Sequence, residues 1–213
     1  YERDAKQWRK DLGIPDDELV ILFAGKLESK KDPDFMLRLA ANLPDPRLKL
    51  IIVGNGRLEE ELKIKSAKDK RVIFLDFQNQ EKMPLVYRLG DIFALPSRGP
   101  GETWGLAVNE AMACERPVIV SSKCGCVPDL VDENRTGWVF EPGERGDLMI
   151  AGILKGILGQ RSILDTMGDC AWEKLREYSY PVAIEKMKGL LENISLTKTQ
   201  ISEKSFIYVH HQE

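Results

Sequence analysis

Between Asp91 and Val120 the chain passes from an apolar run through a loop rich in glycine and proline, into a helix-forming stretch, and out into a second apolar run. Asp91-Ile92-Phe93-Ala94-Leu95 reads as a buried strand that breaks at Pro96. The segment from Gly105 onward predicts a helix, and Pro117-Val118-Ile119-Val120 the next strand. Two neighbouring parallel strands need a crossover, so strand, loop, helix and strand in succession constrain the chain to a parallel α/β sheet. In such a sheet the loop lies at the carboxyl edge of the strands, where ligands bind. The helix start offers unpaired backbone N–H groups there, and a phosphate would fit them. Glu102 in the loop and Glu110 in the helix, with seven residues between them, bracket the unit. Taken alone, two glutamates at this spacing could equally be a solvated helix face.

The rest of the chain repeats the pattern. Leu19–Ala24 and Leu48–Val53 are continuous apolar runs of strand length, the form of a parallel strand covered on both faces. Val72–Leu75 is a third such run, and Asn134-Arg135-Thr136-Gly137-Trp138-Val139-Phe140-Glu141-Pro142-Gly143 reads as a turn, a last short strand and a stop. Helices are predicted at Ala5–Leu12, from Pro33 through Leu43, from Leu58 to Ser66, from Met83, from Asp147, and over about 162–176 and 181–193. The fold expected is a Rossmann-like open sheet of about six mostly parallel strands with helices on both faces. Residues 1–17 read as a connector from an absent N-terminal domain, 18–195 as the ligand-binding domain, and 196–213 as a C-terminal tail. The start at Tyr1-Glu2-Arg3-Asp4 carries no initiator methionine and reads as mid-protein.

Composition narrows the function classes. A net charge of −3 over 213 residues gives no general attraction for nucleic acid. No apolar run approaches the ~18–20 residues of a membrane span. The only histidines, His210 and His211, lie in the tail, so neither a zinc site nor an internal histidine base is expected. Cys124 and Cys126 stand too close for an ordinary disulfide; with Cys114 and Cys170 they read as reduced thiols of a cytoplasmic protein. The loop Gly25-Lys26-Leu27-Glu28-Ser29-Lys30-Lys31-Asp32 after the first strand is rich in lysine and lacks G-x-G-x-x-G. A nicotinamide-dependent oxidoreductase, which shares the sheet, is disfavoured on that ground. Gly54-Asn55-Gly56 is a weak dinucleotide signal, because it follows the second strand and the third glycine is absent.

The run Ser97, Glu102-Thr-Trp104-Gly105-Leu106, Asn109-Glu110-Ala-Met-Ala and Pro117-Val-Ile resembles the E-x7-E motif of the family-four, retaining, nucleotide-sugar-dependent glycosyltransferases, in their C-terminal, donor-binding half. Further elements in the same order support the resemblance. Gly25–Asp32 is similar to the family's G-R-L-x-x-x-K-G, with Lys26 for arginine and Asp32 for glycine. Gly125-Cys126-Val127-Pro128-Asp129 is similar to its G-G-x-P-E, with Cys126 for the second glycine and Asp129 for glutamate. The resemblance spans about residues 19–195 and implies the C-terminal half of a two-domain GT-B fold.

By resemblance, Glu110 takes the ribose hydroxyls, the N–H groups of Gly105 and Leu106 meet the diphosphate, and Glu102 faces the transferred sugar beside Trp104. Lys26 and Lys31 stabilise the leaving diphosphate without a metal, Gly25, Gly54 and Gly56 shape the loops, and Phe77 and Gln78 meet the nucleobase. For Phe77 and Gln78 a core residue and a loop residue are the equal alternative; Tyr87 is assigned to packing and Lys30 to a bystander role. No cofactor is implied, and the expected partners are a UDP-sugar or related nucleotide sugar and a saccharide or glycolipid acceptor bound by the absent half. Any peripheral membrane contact, at the inner face of a membrane, is left to that half as well. The donor half alone is expected to bind without transferring. The substitutions at 26, 32, 126 and 129 keep open a non-catalytic nucleotide-sugar-binding module.

Overall fold

Strand residues point alternately to the two faces of a sheet, so a strand buried on both faces divides its side chains between two cores. This happens along the first strand, β1 (Leu19–Ala24), where every residue is buried. Leu19, Ile21 and Phe23 join one hydrophobic cluster, and Val20, Leu22 and Ala24 join the other. The computed structural model describes residues 1–192 and 194, which divide into a unit Tyr1–Leu175 and a second unit from Arg176.

The first unit is one sheet of six parallel strands: β1, β2 (Leu48–Val53), β3 (Val72–Leu75), β4 (Ile92–Leu95), β5 (Val118–Ser121) and β6 (Gly137–Phe140). Their order is β3-β2-β1-β4-β5-β6. Register is set along the centre by Leu19 to Ala24 opposite Leu48 to Val53, and by Leu22 opposite Phe93. Helices α1 (Glu2–Asp11), α2 (Asp34–Asn42), α3 (Glu59–Ser66), α4 (Met83–Tyr87), α5 (Leu106–Ala113), α6 (Val127–Leu130), α7 (Glu144–Ile157) and α8 (Ile163–Arg176) alternate with the strands. One face carries α2 and α7, with Phe35 stacked on Phe140 at 4.8 Å between ring centres. The other carries α4 and α5, with Tyr87 set edge-on to Phe93 at 5.3 Å. Fully burying such a side chain contributes about 1.5–3 kcal/mol.

The six-stranded α/β expectation holds, and the sheet is entirely parallel. Helix α7 starts at Glu144, three residues before Asp147, because Gly143 serves as its N-cap. Residues 1–17 place Ala5 and Ile14 in the second core, and Arg9 donates to Asp91 at 2.9 Å. The second unit has a helix over residues 180–192. The tail 196–213 lies outside the described residues. Among the described residues no helix is long and apolar enough to cross a membrane.

Candidate functional site

The order 3-2-1-4-5-6 has a switch point between β1 and β4. The crossover from β1 runs to one side and the chain from β4 to the other, which leaves a crevice at the carboxyl edge. A cavity of about 550 Å³ opens there. Its floor comes from the strand ends, Ala24-Gly25-Lys26 after β1 and Val53-Gly54-Asn55 after β2. Phe77, Gln78 and Gln80 line it from the loop after β3, Met83 and Tyr87 from α4, and Ala107 and Glu110 from α5. Lys31 completes it from a single 3-10 turn, Ser29–Lys31, that precedes α2.

The floor depends on two strand-end loops lying in contact. Gly25 N–H donates to the Val53 carbonyl and Leu27 N–H to that of Asn55. Gly54 adopts φ 130, and a Cβ there would stand 2.0 Å from the Gly25 carbonyl oxygen, so only glycine fits.

Glu110 sits on the inner face of α5, one turn after Ala107. One carboxylate oxygen accepts the Tyr87 hydroxyl at 2.6 Å and the other the Gln80 amide at 3.0 Å. Burial raises the Tyr87 hydroxyl above the usual phenol range, and the neighbouring Glu110 carboxylate adds to this, so the phenol stays a donor. Tyr87 therefore both packs and orients, where sequence reasoning assigned packing alone.

Lys31, which lines the same cavity, pairs through Nζ with Glu102, which also accepts the Ser97 hydroxyl at 3.0 Å. Glu102 belongs to the loop between Pro96 and Gly105, fixed from outside by the chain leading into α6: Gly125 N–H donates to the Glu102 carbonyl and Cys126 N–H to that of Trp104. A Cβ at Gly125 would meet the Thr103 carbonyl oxygen at 1.8 Å. Cys126, at φ −74, needs no glycine freedom, which is how cysteine stands there; its side chain is buried. Burial pushes the thiols of Cys124 and Cys126 up to about 12 and about 11. Gly105 caps α5, and Leu106, 69 % exposed, begins it beside the cavity wall at Ala107.

The structure thus gathers Gly25, Lys26, Lys31, Gly54, Phe77, Gln78 and Glu110 around one cavity. Phe77 is 66 % exposed, which removes the core alternative. Glu102 joins the group through Lys31. Gly56 lines a separate surface depression with α3, and Trp104 turns to α5, where its Nε1 donates to Asn109 at 2.7 Å. Gln80 and Met83 were missed because nothing in their sequence surroundings marks them; Tyr87 was seen, but its partner lies 23 residues away. Among the described residues no three His, Cys, Asp or Glu side chains gather as metal ligands would.

The family profile described as "Glycosyl transferases group 1" matches residues 4–162. D-inositol 3-phosphate glycosyltransferase of Corynebacterium efficiens is 29 % identical over 200 residues, covering 89 % of this chain and 46 % of that protein. The protein of that name from Mycolicibacterium smegmatis is 34 % identical over 155 residues, or 68 % of this chain and 34 % of its own length. The chain therefore spans less than half the length of these relatives. In fold it is similar to Anabaena Alr3699/HepE, solved in complex with UDP, at a TM-score of 0.74 and 22 % identity, over 91 % of this chain and 52 % of that one. It is also similar to the C-terminal domain of the group 1 glycosyl transferase LpcC from Francisella tularensis, at a TM-score of 0.70 and 23 % identity, over 83 % of this chain and 93 % of that one. The fold is that of a GT-B C-terminal domain.

Proposed function

The chain belongs to the group 1 glycosyl transferases, and from that premise we propose that it is the donor-binding part of a retaining enzyme that takes a nucleoside diphosphate sugar, a UDP-sugar first of all. The observation that carries the reading is the set of charged groups that line one cavity. Cationic side chains, Lys26 and Lys31, and an oriented carboxylate, Glu110, face the same space. A nucleoside diphosphate has the matching groups, with an anionic diphosphate and a ribose rich in hydroxyl donors.

In this reading Glu110 accepts hydrogen bonds from the ribose, replacing the one from Gln80 while Tyr87 keeps its own. The base lies along Phe77 and Gln78. The diphosphate meets Lys26, Lys31 and the free N–H groups at the start of α5, around Gly105 and Leu106. An ammonium group has three donors, so Lys31 can hold Glu102 and a phosphate oxygen together. As the bond from the sugar to the distal phosphate oxygen breaks, negative charge grows on that oxygen, and fixed cations stabilise it without rearranging. Glu102, held by Lys31 and Ser97, orients the sugar. The acceptor is assigned to the part of the full-length enzyme that lies outside the matched region. The relatives named for D-inositol 3-phosphate suggest a phosphorylated polyol as one class to try.

A thermal-shift panel of UDP, GDP, ADP, their glucose conjugates and NADH tests the reading. A ligand at ~100 times its dissociation constant adds about 2.7 kcal/mol of stability. UDP and UDP-sugars should raise the midpoint, undiminished by EDTA. A response to NADH alone, or one that EDTA abolishes, would contradict it.

A further inference from the structure

Asp32 ends the 3-10 turn in the left-handed region, at φ 49 and ψ 50, a conformation costly for most side chains but tolerated by aspartate and asparagine. It is only 5 % exposed. Its carboxylate accepts both terminal nitrogens of Arg38 from α2, at 3.2 and 2.8 Å, and forms an ion pair with Arg98 from the β4–α5 loop, whose Nε lies 2.8 Å from Oδ2. The backbone N–H of Arg98 donates to the Lys30 carbonyl at 2.9 Å. Residue 98 is therefore pinned twice to the β1–α2 loop. The residue before Asp32 is Lys31, and four residues after Arg98 comes Glu102, the partner of Lys31.

We propose that Asp32 and Arg98 form a clasp that binds the two loops together and so holds Lys31 against Glu102 at the phosphate end of the cavity. The inference rests on the reading of the cavity as a nucleoside diphosphate site. Neither residue lines the cavity, so both act through Lys31 and Glu102 as positioning residues. Without the Asp32 carboxylate, Arg38 keeps Asp147 at 2.6 Å and Asp34 at 3.4 Å, but it faces Arg98 with no shared counter-charge. Two guanidinium groups so placed repel, and Arg98, already half exposed, is freed to turn to water. The loop carrying Glu102 then loses an anchor. The nucleoside end, built on α4 and α5, keeps all of its contacts.

The signature is a loss that falls on diphosphate and spares nucleoside. Calorimetry of the chain with UDP and with uridine is compared for the native protein, Asp32→Asn, Arg98→Ala, the double variant and Lys31→Ala. Asparagine keeps the left-handed backbone and removes the charge, which preserves a folded variant should Arg98→Ala misfold. Each clasp variant should weaken UDP roughly three- to tenfold, the size of one net hydrogen bond. Uridine affinity should stay unchanged, and the double variant should be no worse than the weaker single one. Equal losses for UDP and uridine would mean that the pair acts through folding and would overturn the clasp. Native UDP affinity in the clasp variants with a defective Lys31→Ala would overturn the clasp alone. Native UDP affinity in Lys31→Ala would overturn the site reading beneath it.

Discussion

Glu110 shows what one residue's surroundings add to its chemistry. A carboxylate on a helix face is ordinarily free to rotate, but here Tyr87 and Gln80 each hold one oxygen. Removing the Tyr87 hydroxyl as Tyr87→Phe keeps the ring against Phe93 and releases one oxygen, so UDP affinity should fall roughly three- to tenfold by calorimetry. Glu110→Ala should cost more, about 1.5–3 kcal/mol, with little change in the melting temperature. The sign of the pH effect follows from the raised phenol. Its folded value lies above the unfolded ~10, so the stabilisation is complete below that pH and is lost as pH rises past it. Melts of Tyr87→Phe should show a smaller decline above pH ~10 than the native protein. Native UDP affinity in both variants would take the pair out of the site. Glu110, Lys26, Lys31, Gly25 and Gly54 of the cavity were legible in the sequence because their types and order match a family motif that carries chemistry. The Tyr87 and Asp32 contacts were not, since hydrogen-bond partners distant in sequence leave no local pattern.

At the level of elements, the loop carrying Glu102 takes its shape from a neighbour. Gly125 and Cys126 bind its carbonyls through backbone N–H groups, and at Gly125 there is no room for a side chain. Gly125→Ala should therefore destabilise the fold by about 1–3 kcal/mol, the usual cost of overpacking, as measured by urea unfolding. It should also weaken UDP more than uridine, because the displaced loop holds Glu102. An unchanged midpoint would mean that the two loops separate easily. The strands were legible almost to the residue, because runs such as Leu19–Ala24 are apolar throughout and stop at glycine or a turn. Helix ends were less so: the polar turn Glu144-Arg145-Gly146 hides the start of α7, and α6, at four residues, is too short to show a helical period.

For the whole molecule, strand order was the part that the sequence could bound without specifying. Six similar apolar runs do not say which lie side by side; the right-handed crossovers and the burial of the central strands select 3-2-1-4-5-6. β3 reads as an edge, with all four residues only partly buried, whereas β1 and β4 are buried throughout. That order puts the switch point between β1 and β4, and the cavity is a consequence of it. The claim that this crevice takes a nucleoside diphosphate is tested most directly by a crystal structure of the chain grown with saturating UDP. One nucleotide should occupy the cavity, with ribose hydroxyls at ~3 Å from the Glu110 carboxylate and diphosphate oxygens at ~3 Å from Lys31 and from the first N–H groups of α5. UDP bound at another surface, or reversed so that its diphosphate lies beside Glu110, would contradict it.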